Sequence, residues 1–177
     1  TVVTPGLIDT GSTLGLTEVG AVDDTRDYAL GVADPIRAAF DVMDGINPNS
    51  SLIPVNRLLG VTTALTSPAG GLIAGRAAMI DLAGASVDEM AVRPRAAMLA
   101  NFDADDGGGA RGGVSLRLRE VLDDARFWRD NRAAFDRGAA RALAASRLDL
   151  EALQPVLAGD MPFVVTVDRA SDIRAVL

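Results

Sequence analysis

The sequence predicts an α/β fold built around a parallel sheet, and two observations support this prediction. Short segments rich in β-branched and apolar residues recur along the 177-residue chain, at 2–9, 61–66 and 162–168. Segments with helical periodicity lie between them, and the clearest of these is 114–135. Strands that are apolar on both faces and alternate with helices are typical of parallel sheets covered on both sides.

The first part of the chain is predicted to hold one strand, a long loop and two short helices. Residues 2–9 indicate a buried strand and residues 10–34 a loop. Asp34 and Pro35 match a helix N-cap with proline at the first helical position, followed by an apolar face of Ile36, Ala39, Phe40 and Met43. A second short helix is expected at 51–59, ended by Gly60 in a left-handed conformation.

The middle of the chain is predicted to be β structure followed by a glycine-rich loop. Residues 61–66 form a β-branched strand, and we expect irregular β structure around tight glycine turns at 70–82. Residues 103–113 hold two runs of glycine and indicate a surface loop. This loop lacks the Lys-Ser/Thr ending of a phosphate-binding loop, so nucleotide binding is not predicted there.

The last part of the chain contains the strongest helix prediction. Its apolar stripe is Val114, Leu118, Val121, Leu122, Ala125, Trp128 and Phe135. The face mostly opposite is predicted to be solvated and holds Arg117, Arg119, Asp123, Asp124, Arg126 and Asp130. A helix interrupted near Pro155 is expected at 149–158, then a buried strand at 162–168 and a helix that starts at Asp172 with Ser171 as its cap.

Composition excludes several kinds of chemistry. The chain has no histidine, cysteine or lysine, and all 17 of its cations are arginine. Nucleophilic triads that need histidine, zinc sites built on imidazole or thiolate, and lysine Schiff bases are therefore impossible within it. A carboxylate-only site for Mg²⁺, Mn²⁺ or Ca²⁺ remains open. The net charge of −7 argues against nucleic acid as a partner, and no apolar run is long enough for a membrane span.

Residues 5–9 read Pro-Gly-Leu-Ile-Asp and are followed by Thr-Gly-Ser-Thr. This segment resembles the opening of the metal-dependent amidohydrolases, especially imidazolonepropionase-like members, in which P-G-[LFM]-I-D precedes x-H-x-H. The two histidine positions hold Gly11 and Thr13, so by this resemblance the metal motif is degenerate. Residues 59–63 and 70–82 also resemble that family. A looser resemblance covers 163–173 and places Thr166 and Asp168 at further ligand positions.

The resemblance implies an α/β fold of the partial (β/α)8 TIM-like barrel type, with parallel strands and flanking helices. A closed barrel takes about 250 residues, so we expect residues 1–177 to be the N-terminal portion of a longer barrel protein. The implied site lies at the C-terminal ends of the strands, with candidate pocket residues at Asp9, Gly11, Thr13, Thr166 and Asp168, and with Thr66 beside them. We expect no cofactor and no metal ligand in this chain, whereas the family uses zinc or another divalent metal.

The resemblance implies hydrolysis of a C–N bond in a cyclic amide or dipeptide-like substrate, where family members use a metal-activated hydroxide. One alternative is a catalytically inactive homologue that serves binding or assembly. Another is an unrelated α/β binding domain, which placement of Gly11 and Thr13 away from any strand end would favour. We also expect pairing with another chain or with the remainder of the protein, and family resemblance favours a bacterial periplasmic or secreted location.

Three further groups of charged residues are weighed separately. The Asp9 carboxylate is expected to cap the backbone amides that follow it. The acidic residues Glu18, Asp23, Asp24 and Asp27 have no EF-hand spacing, so a solvated loop is preferred to a cation site. Arginine side chains can bind carboxylates through two hydrogen bonds, but surface exposure is the expected state of Arg93, Arg95 and Arg111.

Overall fold

The computed structural model describes residues 2–30, 34–103 and 109–177. Five strands form one sheet in the order β1-β2-β3-β4-β5, namely β1 (Leu7–Ser12), β2 (Val61–Thr66), β3 (Ile73–Asp81), β4 (Ala91–Asn101) and β5 (Phe163–Thr166). The α-helices are α1 (Leu52–Leu58), α2 (Val87–Met90), α3 (Arg111–Asp130), α4 (Arg132–Asp136), α5 (Arg147–Ala152), α6 (Gln154–Ala158) and α7 (Ala170–Val176). Short 3₁₀ turns occupy Asp23–Thr25 and Val42–Asp44.

The sheet is mixed, so the predicted parallel arrangement is wrong at the pair of β2 and β3. The pairs β1–β2 and β4–β5 are parallel, whereas β2 and β3 are antiparallel, with Thr63 opposite Asp81 and Thr66 opposite Ala78. Residues 67–72 connect β2 to β3, a length too short for the helical crossover that parallel neighbours need. Gly70 and Gly71, both with positive φ, lie at the end of this connection.

The chain divides into two compact units. Among the described residues, unit 1 comprises 2–30, 41–69 and 76–97, and it contains β1, β2, α1 and α2. Unit 2 comprises 34–40, 70–75, 98–103 and 109–177, and it contains β5 and the helices from α3 onward.

In unit 1 the first strand begins later and is more exposed than predicted. It starts at Leu7 rather than at residue 2, and the side chains of Leu7 and Ile8 are 59% and 61% exposed. The prediction of a buried strand is wrong because, among the described residues, β1 is an outer strand of the sheet that pairs with β2. The prediction for the next element is confirmed, since α1 is followed by Gly60 with φ of 96°.

A predicted helix at the start of unit 2 is absent, and a turn takes its place. Asp34 Oδ1 accepts a hydrogen bond from the Ile36 backbone N–H at 2.9 Å, as a helix cap would. The chain then bonds to the start of β3, because Arg37 N–H donates to the Ile73 carbonyl and Ile73 N–H to the Pro35 carbonyl. These backbone bonds replace those that a helix would have made. Residues 31–33 of the predicted loop lie outside the described residues.

The core of unit 2 is built on α3, and it confirms the predicted apolar stripe. Val114, Val121 and Trp128 are almost fully buried and pack with residues of α5 and with Met98 of β4. The helix starts at Arg111, so the predicted loop at 103–113 ends earlier than expected, and its residues 104–108 lie outside the described part of the chain.

The charged face of α3 contains one residue that the sequence placed wrongly. Asp124 was predicted to be solvated, yet it is 3% exposed. Its carboxylate accepts hydrogen bonds from the Ala144 backbone N–H at 2.7 Å and from the Arg141 guanidinium. The bond to Asp124 raises the pKa of Arg141. The chain after α4 therefore returns to α3 and covers this carboxylate.

The remaining helices of unit 2 agree with the sequence except at their ends. The predicted helix at 149–158 is broken at Leu153 into α5 and α6, close to the expected interruption at Pro155. The last helix begins at Ala170, so Ser171 lies inside it instead of capping it. The Ser171 hydroxyl bonds to the carboxylate of Asp172, which in turn pairs with Arg111.

Candidate functional site

The carboxyl ends of β1 and β2 lie side by side in unit 1. The two strands are parallel, and Ser12, the last residue of β1, is opposite Thr66, the last residue of β2. Gly11 is the penultimate residue of β1, and Thr13 directly follows the strand. In α/β barrels this end of the strands carries the active site. The alternative of an unrelated domain therefore lacks the support that placement of these residues away from a strand end would have given it.

The first three candidate residues differ in their environment. The Asp9 carboxylate accepts a hydrogen bond from the Gly11 backbone N–H at 3.0 Å, which agrees with the predicted capping role. Gly11 is exposed, and a Cβ atom added there would meet no other atom within 4 Å. Thr13 is half-buried, and its hydroxyl accepts a hydrogen bond from the Thr17 hydroxyl at 3.3 Å. A side chain at position 11 would therefore point into open space.

Thr66 does not line an open surface, because it is completely buried. Its hydroxyl donates to the Leu14 backbone carbonyl at 2.8 Å. The neighbouring Ser12 hydroxyl accepts from the Leu14 N–H at 3.0 Å, and the Ser12 carbonyl accepts from the Ser67 N–H at 2.9 Å. These bonds connect the end of β2 to the segment that follows β1. Thr66 therefore stabilises this segment through its hydrogen bond to Leu14.

Thr166 and Asp168 lie at the carboxyl end of another parallel pair, in unit 2. Thr166 is the last residue of β5 and is opposite Asn101, the last residue of β4. Its carbonyl accepts a hydrogen bond from the Phe102 N–H at 2.9 Å. The side chains of Thr166 and Asp168 are both exposed. A pocket shared by these two residues and the candidates in unit 1 stays a prediction.

Gly11 and Thr13, at the two histidine positions of the family motif, do not fit a divalent metal ion. Gly11 has no side-chain donor, and the Thr13 hydroxyl is neutral and bonded to Thr17. Zinc in proteins takes imidazole, thiolate or carboxylate ligands, and this chain has only carboxylates among them. Within residues 2–30, 34–103 and 109–177, no group of three or more carboxylates is arranged to hold a metal. We therefore assign no reaction step to a metal held by this chain.

The acidic residues of the loop after β1 bind other parts of unit 1. The Glu18 carboxylate accepts hydrogen bonds from the Asn47 side chain at 3.1 Å and from the Ser51 backbone N–H at 3.3 Å. Asp23 forms an ion pair with Arg26. Glu18 is therefore partly buried by contacts within unit 1, rather than solvated as expected, whereas Asp23 stays exposed.

Two of the three arginines considered from the sequence bind carboxylates of this chain. Arg95 Nε lies 3.1 Å from Asp41 Oδ2. A further arginine, Arg76, binds the same oxygen, with its Nη2 at 3.3 Å. Asp41 is buried. Burial of the Arg76 guanidinium lowers the pKa of Arg76. Arg111 pairs with Asp172, whereas Arg93 is exposed. No sequence signal distinguished Asp41 from the other acidic residues of the chain.

Unit 2 has an apolar groove beside β5. Its volume is about 210 Å³, and it is lined by Phe163, Val165, Val167, Ile173, Val176 and Leu177. One face of β5 and α7 form the groove, and each described residue that lines it has an apolar side chain. Among the helices that the structure describes, none has the length and apolar character needed to cross a membrane.

Comparison with known proteins shows which fold this chain shares. Its structure is similar to the crystal structure of an amidohydrolase from Thermotoga maritima MSB8, with a TM-score of 0.80 and 23% sequence identity. The match covers 98% of this chain and 47% of the other, so the chain spans about half the length of that protein. No protein-family model matches the sequence, and no curated protein matches it. The chain therefore has an amidohydrolase-like fold, with a mixed sheet and flanking helices that are consistent with part of a barrel.

Proposed function

We propose that this chain is the N-terminal portion of an amidohydrolase-like protein that hydrolyses a C–N bond in a cyclic amide or dipeptide-like substrate. The observation that carries the proposal is the structural likeness to an amidohydrolase over nearly the whole chain. The position of Gly11 and Thr13 at the carboxyl end of a strand in a parallel pair supports it. In barrel enzymes of many chemistries, substrates bind at this end of the strands.

In this proposal the chain supplies part of the pocket wall, and other parts of the protein supply the hydrolytic groups. Gly11 is exposed between the partly buried Asp9 and Thr13 and leaves open space, since no atom beyond its chain neighbours lies within 4 Å of a Cβ there. Thr166 and Asp168 are an exposed pair at a strand end. Glycine and threonine at positions 11 and 13 leave room and hydrogen-bonding capacity for a polar, uncharged substrate group.

We further propose that β5 and its groove pair with an additional strand and helix, either from the same protein or from another chain. β5 is an outer strand of the sheet, and its residue Val164 is 44% exposed. An outer strand presents unpaired backbone groups that favour pairing with another strand. The adjacent groove is apolar along its whole lining, which suits the apolar face of a helix.

The test is a hydrolysis assay of the protein on a panel of cyclic amides and N-acylated dipeptides. The metal content of the same protein sample is measured alongside. We expect release of a free amine that follows the protein concentration and is lost on heat denaturation. Binding of a panel member, measured by calorimetry, without release of amine would instead identify a catalytically inactive homologue. If the protein neither binds nor hydrolyses any member, the proposed substrate class is wrong.

A further inference from the structure

The segment after β1 is fixed by an unusual number of hydroxyl groups. Ser12 is the last residue of β1, Thr13 and Thr17 lie in the segment after it, and Thr66 lies opposite Ser12 at the end of β2. We call these four residues the hydroxyl cluster. Each of the four hydroxyls has a hydrogen-bond partner, and all four lie in unit 1.

Two of these hydroxyls act on the same residue from opposite sides. The Leu14 backbone N–H donates to the Ser12 hydroxyl at 3.0 Å, and the Leu14 carbonyl accepts from the Thr66 hydroxyl at 2.8 Å. Leu14 is itself buried, so both of its backbone polar groups need partners inside the protein. The hydroxyl cluster therefore satisfies backbone groups that no strand or helix satisfies.

Backbone hydrogen bonds also fix the residues next to Leu14 in this segment. Leu16 N–H donates to the Thr13 carbonyl at 2.9 Å, and Asp27 N–H donates to the Leu16 carbonyl at 2.7 Å. Asn47 N–H donates to the Gly15 carbonyl at 2.8 Å. Position 13 is consequently held by Leu16 at its carbonyl and by Thr17 at its hydroxyl.

We propose that Thr66 is a positioning residue that, with the rest of the hydroxyl cluster, fixes residues 12–17 at the carboxyl end of β1 independently of any metal ion. This inference rests on the proposed function, because it assigns the segment to the wall of the pocket. It goes further by stating that this wall is ordered by hydrogen bonds between neutral groups. A divalent cation finds neither a charged nor an imidazole ligand at positions 11 and 13, so it adds nothing to the order of the segment.

The test is amide hydrogen exchange of Leu14 and Leu16, measured by NMR relative to the amides of α1 in the same unit. In the wild-type protein we expect equal exchange rates with a chelator and with saturating Zn²⁺. In Thr66→Val, which keeps the shape but leaves the Leu14 carbonyl without its buried donor, we expect both amides to exchange about tenfold faster or more. Thr66→Ser keeps the hydroxyl and should stay within about threefold of the wild type.

Thr63→Val is the matched control, since Thr63 lies in the same strand and its hydroxyl bonds to Asp81 at an exposed site. It should leave the Leu14 and Leu16 rates unchanged. The inference is overturned if a chelator accelerates these amides, if Zn²⁺ slows them, or if Thr66→Val behaves like Thr63→Val. If Thr66→Val fails to fold, two measurements still test the inference. These are the exchange rates of the wild-type protein with chelator and with Zn²⁺, and the exchange rates of Thr66→Ser. None of these rates depends on turnover, so they separate this inference from a failure of the hydrolysis assay.

Discussion

The backbone carbonyl oxygen of Phe40 lies 2.7 Å from the position that a Cβ atom on Gly75 would occupy. Gly75 also has a φ of 129°, a conformation that residues with a side chain rarely adopt. Both the close approach and the backbone angle therefore require glycine at the point where β3 passes residue 40.

Replacing Gly75 with alanine should destabilise the protein by about 2–3 kcal/mol, because it combines strain in φ with a clash against a backbone atom. The free energy of unfolding, measured by chemical denaturation, checks this. Gly20→Ala is the control, because a Cβ at Gly20 meets no atom within 4 Å and its φ is not positive. Equal effects of the two substitutions would show that the contact with Phe40 is not tight.

Replacing Gly11 with histidine should change the free energy of unfolding by less than about 0.5 kcal/mol, as for other exposed positions. The site is open and its backbone conformation is ordinary. The midpoint of thermal unfolding measures the effect. A large loss of stability would show that other atoms already occupy the space next to Gly11.

The double variant Gly11→His and Thr13→His should gain binding of Co²⁺. Two imidazoles at these positions bind one ion together if both face the same space, which is what the variant tests. The visible absorption bands of bound Co²⁺ provide the readout, with the wild-type protein as the control. Identical spectra for variant and wild type would show that positions 11 and 13 do not face a common space.

Asp124→Ala should cost about 2–3 kcal/mol of stability, because it leaves the buried Ala144 N–H without an acceptor and removes the partner of Arg141. Its neighbour Asp123 is exposed and pairs with Arg126 on the helix surface. Asp123→Ala should therefore cost no more than about 0.5 kcal/mol. Urea denaturation of both variants compares the two losses, which should differ clearly.

Val164→Lys should reduce self-association of the chain, because a charge on an outer strand opposes pairing with another strand. Val164 is partly exposed on β5, beside the apolar groove. Light scattering over a range of concentrations gives the measurement. Val19→Lys, at an exposed loop position in unit 1, is the control and should have no effect. A wild-type chain that stays monomeric throughout would contradict this prediction.

The sequence predicted those elements whose local pattern agrees with their tertiary environment. The stripe from Val114 to Trp128 has helical spacing and is buried on α3, and Gly60 follows α1 in the expected left-handed conformation. The placement of Gly11 and Thr13 at a strand end also followed from the motif around Asp9. In these regions short-range preference and packing favour the same structure.

The features that the sequence did not predict depend mainly on contacts between residues far apart in the chain. The cap signal at Asp34 is real, but bonds from Pro35 and Arg37 to Ile73 override the helix that it predicts. β4 was not predicted, because Arg93, Pro94 and Arg95 interrupt its apolar pattern. The burial of Asp124 depends on Arg141 and Ala144, which no periodicity of α3 reveals.

Trp128, the only tryptophan of the chain, lies in the core of unit 2, whereas unit 1 contains the single tyrosine, Tyr28. Emission excited at the indole absorption edge will therefore follow the melting of unit 2 alone, while far-ultraviolet circular dichroism reports on both units. Coincident transitions from the two signals would mean that the units unfold as a single cooperative block, and separated transitions that each has its own stability.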